Sequence, residues 1–242
     1  VGAAIVQISA KGLFSNATTA TCTLTGVTSG NTIAAFVNHY NSAGSGSGTT
    51  VSDGTSYTND IRIPGHGGAS GFSSLEVFQL LSAAAGTHTI VSTAAVAVNG
   101  FGQMVCMELS GLSSSPFDQS ASSSNNSTTP SVGPTGTLAV SSELCFAVYC
   151  NPGVATTGIT NPPTPASTWV SQYADSSTAD LPLYIASLIS PSTAALSASW
   201  GTLSTSGQWI AAIVTFQPAA APTTGNPRLP RRRSYFDTFI PR

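Results

Sequence analysis

Hydrophobic and polar positions alternate along most of this chain, and the alternation is written twice. In residues 102–111, Val105, Met107 and Leu109 fall on one side of an extended strand, while Met104, Cys106 and Glu108 take the other. Residues 207–218 open on the same Gly-Gln pair and repeat the pattern with Ile210, Ala212 and Val214 on the buried face. Upstream, residues 31–40 resemble 143–150, and the middle strands predicted at 75–81 and 181–189 are each followed by a run of small residues and a further strand, at 87–92 and 196–200. Two short strands, 4–9 and 19–24, precede them. No segment carries a convincing 3.6-residue period.

Two diverged halves follow, roughly 20–111 and 137–218, joined by a Ser/Asn/Pro-rich connector at 112–136. Two copies are too few for a solenoid. Many short strands between Gly/Pro/Ser turns instead predict an all-β fold: an antiparallel β-sandwich, jelly-roll-like, with an extended C-terminal arm. The body spans 1–218; residues 219–242 form a linker and the arm. Whether the body is one sandwich or two small ones in tandem stays open. A long Gly/Ser loop at 41–72 and a Pro-rich loop at 151–165 are expected to gather at the sandwich ends, where binding surfaces usually form.

Composition narrows the function. Only 7% of the 242 residues are charged, against roughly 25% in ordinary soluble domains. Ser, Thr, Gly, Ala and Asn replace them, which suits a surface packed against neighbours better than a typical cytosolic enzyme. No segment approaches the roughly 18 apolar residues needed to span a bilayer, so no membrane partner is expected. The opening lacks the basic start and apolar run of a signal peptide, and its Val fits removal of an initiator Met. Cys145 and Cys150 lie an odd number of residues apart on one predicted strand and point to opposite faces. With Cys22 and Cys106 they read as small buried hydrophobes in a reducing compartment.

Charge is split along the chain. Through Pro227 there are two basic residues against eight acids; the last fifteen residues hold five Arg against one Asp. Arg228, Arg231, Arg232, Arg233 and Arg242 are interleaved with Tyr235, Phe236, Phe239 and Ile240, and prolines at 227, 230 and 241 forbid a stable helix. These nine residues are the candidate partner-binding set: arginines for carboxylates, apolar side chains for grooves. One short arm on an acidic, Ser/Thr-rich body argues against nucleic acid and for a protein surface.

Candidate chemistry is sparse. His66-Gly67-Gly68 has the look of an esterase oxyanion loop, but no Gly-x-Ser-x-Gly turn accompanies it. His39, His66 and His88 are not spaced as ligands. Asp53, Asp60, Asp175 and Asp180 lack Ca²⁺-loop spacing, so no metal or other cofactor is expected. Glu76 and Glu108 are conceivable as a carboxylate pair, with structural roles the alternative. Tyr57, Trp169, Tyr173 and Trp200 could form a sugar-stacking platform, the first three as glycan contacts, with core packing the alternative.

A family resemblance rests on Met107-Glu108-Leu109-Ser110-Gly111 followed by Pro116-Phe117-Asp118, then Gly136-Thr-Leu-Ala-Val, Pro165-Ala-Ser-Thr-Trp169, Ser199-Trp200, Gln208-Trp209 and Phe216-Gln217-Pro218. With these, the chain resembles β-sandwich structural proteins of tailed-bacteriophage virions over roughly 20–218. The resemblance implies a non-catalytic decoration, cement or tail-associated module on the particle. The expected partners are other virion proteins (the major capsid protein or tail proteins) and further copies of itself, assembled in the host cytoplasm. The alternative is a carbohydrate-binding or adhesin module using the long loops and aromatics.

Overall fold

A computed structural model describes residues 2–15, 17–41, 48–64, 72–95, 101–151, 158–165, 168–177 and 181–221. Among them there are strands and turns but no α-helix. The first half contributes β1 (Ala4–Ile8), β2 (Gly12–Leu13), β3 (Thr19–Val27), β4 (Thr32–Asn41), β5 (Thr49–Ser52), β6 (Thr58–Pro64), β7 (Phe72–Leu80), β8 (Gly86–Ala94) and β9 (Gly102–Ser110). The second contributes β10 (Leu112–Ser127), β11 (Ser131–Val132), β12 (Leu144–Cys150), β13 (Val170–Asp175), β14 (Leu183–Ile189), β15 (Ala198–Ser199) and β16 (Gly207–Pro218).

The inner sheets run β1-β9-β4-β7-β6 (with β2 also on β9) and β10-β16-β12-β14-β13, and the outer sheets β3-β8-β5 and β11-β15. The same connectivity occurs in both halves, except that β5 has no counterpart. Leaving β2 aside, the first half pairs its eight strands first–eighth–third–sixth and second–seventh–fourth, the jelly-roll order. Its fifth strand, β6, joins the inner rather than the outer sheet. The body is thus two jelly rolls packed through their inner sheets.

Three layers of core result. Between the inner sheets lie Phe36, Val77, Val105 and Met107 against Phe146, Ile185, Ala212 and Phe216. Cys22, Leu24, Val51 and Ile90 of the first outer sheet cover Ile33, Ala35, Met104 and Cys106. On the far side, Val132, Ala198 and Trp200 cover Cys145, Tyr149, Ala211 and Ile213. The two faces expected for residues 104–109 are therefore correct, but both are buried. An inner strand has no wet side, so its alternation separates two cores rather than core from solvent.

Two expectations need correction. The connector 112–136 is not a linker: it folds as β10 and β11, the first two strands of the second roll. It escaped detection because an edge strand turned partly to water can be built from Ser and Asn. The loop 41–72 likewise contains β5 and β6. All interruptions of register fall on pairs at a sheet margin: β1 on β9, β3 on β8, β6 on β7, β10 on β16 and β13 on β14. The interior pairs of the inner sheets, β4 with β7 and β9 and β12 with β14 and β16, run unbroken.

The body has two unlike ends. The connections β4–β5, β6–β7, β8–β9 and β13–β14 leave from one, which we term the loop end. At the other, tight turns at 28–31, 81–85 and Gly111 and the second-roll connections 133–143 and 190–197 meet the N-terminal segment and the last described residues, 219–221.

Candidate functional site: the polar rim of the loop end

At the loop end the apolar alternation of the inner sheets gives way to polar side chains. On β4, Asn38 and His39 follow Val37 and point to opposite faces. His39 turns into the first roll, where its Nε2 lies 2.8 Å from Ser74 Oγ on the paired strand β7. Ser74 Oγ also donates to Glu76 Oε1 at 3.2 Å. Glu76, fully buried, accepts from Arg62 Nε at 2.8 Å and from the Thr49 amide at 3.2 Å, while Arg62 donates to Thr49 O at 2.8 Å. Burial opposes ionisation of Glu76, but His39 and Arg62 outweigh it and hold the carboxyl below its ordinary value. Gly102 makes the close approach possible, because a Cβ there would sit 2.7 Å from Asn38 O and 2.8 Å from His39 Cβ.

A serine 2.8 Å from a histidine has the spacing of a nucleophile and its base. The rest of the constellation differs from a triad. Glu76 approaches the same ring nitrogen as Ser74, at 3.6 Å, while Nδ1 is buried without a partner. Ser74 is 3% exposed. What the cluster does is tie β4, β6 and β7 of the inner sheet to β5 of the outer one.

Asn38 turns the other way, into the seam between the rolls. Its Oδ1 accepts from the Gln103 amide at 3.1 Å; Gln103 Nε2 donates to Leu181 O, and Tyr173 OH donates to Gln103 Oε1 at 2.7 Å. Lys11 Nζ closes the row on Asp175 Oδ2 at 2.6 Å. Sequence reasoning passed over Gln103, although the repeated Gly-Gln pair was the available signal.

The remaining candidates scatter. Tyr57 is 7% exposed in the core of the first roll, and Trp169 is 2% exposed in the second, lining a groove of about 270 Å³ with Pro165, Leu188 and Pro191. Tyr173 lies in the seam. These three do not share an exposed face, because each ring fills a different interior space. Asp53 is engaged by His88 Nδ1 and the Thr55 amide, and His88 Nε2 reaches Ala84 O. Burial acts against protonation of His88, but the Asp53 carboxylate more than offsets it and raises the ring above its usual range. Glu108 takes Gln7, the Thr28 amide and Asn31 at 2.6–2.8 Å, pinning the turn before β4. It and Glu76 stand opposite Ile33 and Val37, four residues or roughly 13 Å apart along β4, so they do not form a pair. No His/Cys/Asp/Glu group suited to a metal occurs among the described residues. His66-Gly67-Gly68, Asp180 and the nine arm residues lie outside them.

At the opposite end, Ala219 N donates to Gly111 O at 2.8 Å, and Gly2, Gly111, Ser142 and 218–221 line an open depression of about 560 Å³. Gly111 has φ +68°, and a Cβ there would meet Gly2 O at 2.4 Å. Compared with protein-family models, curated proteins and solved structures, the chain matches none.

Proposed function

We propose that this chain is a non-enzymatic structural component of a bacteriophage particle, a capsid decoration, cement or tail-associated protein, fastened to a neighbouring virion protein by residues 228–242. The observation that carries the reading is where the chain leaves the body: it runs on towards the arm from the end opposite the one where β4–β5, β6–β7, β8–β9 and β13–β14 connect. Such a module can stand on a surface with those four connections directed away from it. Jelly rolls serve as viral coat and lectin domains alike, so the fold supports the reading by analogy. The charge-poor exterior suits close packing beside further copies. Arg231, Arg232 and Arg233 pair with carboxylates of the partner, and Tyr235, Phe236, Phe239 and Ile240 fill its apolar grooves. The alternative of a glycan-binding module loses its platform, since Tyr57 and Trp169 are closed off.

The test is deletion of 226–242. The truncated protein should keep the circular dichroism and melting of the full chain and fail to co-sediment with particles. Full incorporation of the truncated protein would remove the arm as the anchor.

A further inference from the structure

We propose that Asp60 carries a proton in the folded protein and joins Gln79 in a carboxylic acid–amide ring of two hydrogen bonds, latching the edge strand β6 to β7 in a pH-dependent way. The bulge between Asn59 and Ile61 frees Asp60 from the regular alternation of β6 and re-aims its side chain. Gln79 Nε2 donates to Asp60 Oδ1 at 2.7 Å. The other two heteroatoms of the pair, Asp60 Oδ2 and Gln79 Oε1, are both buried and both without a partner. As a carboxylate facing an amide oxygen, they would be two acceptors, and burying both unpaired is costly. One proton on Oδ2 supplies the missing donor and satisfies both atoms at once.

Among the described residues no charge is placed to keep Asp60 ionised. Arg62, on the same strand, turns to the other face of the sheet to meet Glu76, three residues from Gln79 on β7. Asp118, on the neighbouring β10, accepts from the Ala139 amide and Gln217. Burial pushes the Asp60 carboxyl up to about 7, against a smaller opposing effect of the Gln79 amide. The sign follows from the raised value. The stability that the latch adds is fully present below the unfolded aspartate's titration near 4 and is lost progressively as pH rises to about 7, where the folded carboxyl itself gives up its proton. Above that, β6 is held by its backbone ladder alone, and the margin of the first roll beside β10 loosens.

The experiment compares the full wild-type chain with Asp60→Asn in urea titrations at pH 5 and pH 8. An asparagine amide can make both hydrogen bonds of the ring without a proton. Wild type should lose up to about a hundredfold in its folding equilibrium constant between the two pH values. Asp60→Asn should lose far less and be the more stable protein at pH 8. Equal pH slopes for the two proteins would overturn the proposal. Infrared spectra of wild type labelled with ¹³C-aspartate provide a readout that does not depend on the variant folding. A protonated aspartate carboxyl should be present at pH 6 and fade by pH 8; its absence at pH 6 would overturn the proposal equally.

Discussion

Phe36→Ala tests whether the two rolls are one thermodynamic unit. Phe36 belongs to the first roll, is fully buried, and packs against Phe146 of the second with ring centroids 5.1 Å apart; Phe146 in turn meets Phe216 at 6.0 Å. Truncating a buried phenylalanine costs about 3–5 kcal/mol, the lost transfer energy plus the cavity left in a layer that neither sheet can close alone. With a urea slope near ~3 kcal/mol/M, the midpoint should fall by roughly 1 M or more. All three tryptophans, Trp169, Trp200 and Trp209, lie in the second roll, so their fluorescence reports unfolding of the half that was not mutated. Far-ultraviolet circular dichroism reports both halves. If the shared core couples the rolls, the two signals shift together. A fluorescence midpoint that stays in place while part of the dichroism melts early would refute the coupling and leave two independently folding rolls.

Two further outcomes follow from the rims. Arg62→Ala strands the buried Glu76 carboxylate and should cost about 3 kcal/mol, the low end for breaking a buried pair because the Arg62 side chain is 43% exposed. Glu76 titrates below its ordinary value in the fold, so its contribution is present above the unfolded carboxyl range and fades as pH falls. The urea-midpoint gap between Arg62→Ala and wild type should therefore narrow from pH 7 to pH 4, the opposite sense to the Asp60 latch; a gap that widens would refute the assignment. Gly111→Ala should cost more than the roughly 1 kcal/mol of an ordinary glycine replacement, since it adds a Cβ at positive φ that collides with Gly2 O. Faster hydrogen exchange in β1 would be its local signature, and an unchanged β1 would mean that the turn tolerates the side chain.

The duplication was legible in the sequence because inner strands carry strong marks. The Gly-Gln openings of β9 and β16 and the apolar runs of β4 and β12 identify equivalent strands without coordinates. Margins are weaker. β10 has Leu112, Pro116 and Phe117 as its main apolar content and otherwise reads as a polar spacer, since a strand partly turned to water needs few hydrophobes. The aromatic candidates failed for a related reason. Tyr57 and Trp169 sit beside turn-rich segments, where a sequence pattern does not distinguish a ring folded inward from one held out. Asn38, Gln103 and Leu181 meet only because two rolls are stacked, and spacing along the chain does not encode that meeting.

The broken registers at the sheet margins carry a last consequence. This chain has too few charges to repel its own kind, and its outermost strands would otherwise offer bare backbone to any neighbour. Kinked ladders there, with Pro64 ending β6 and Pro116 within β10, deny a second molecule a straight template to extend. Many copies can then crowd side by side without fusing into fibrils.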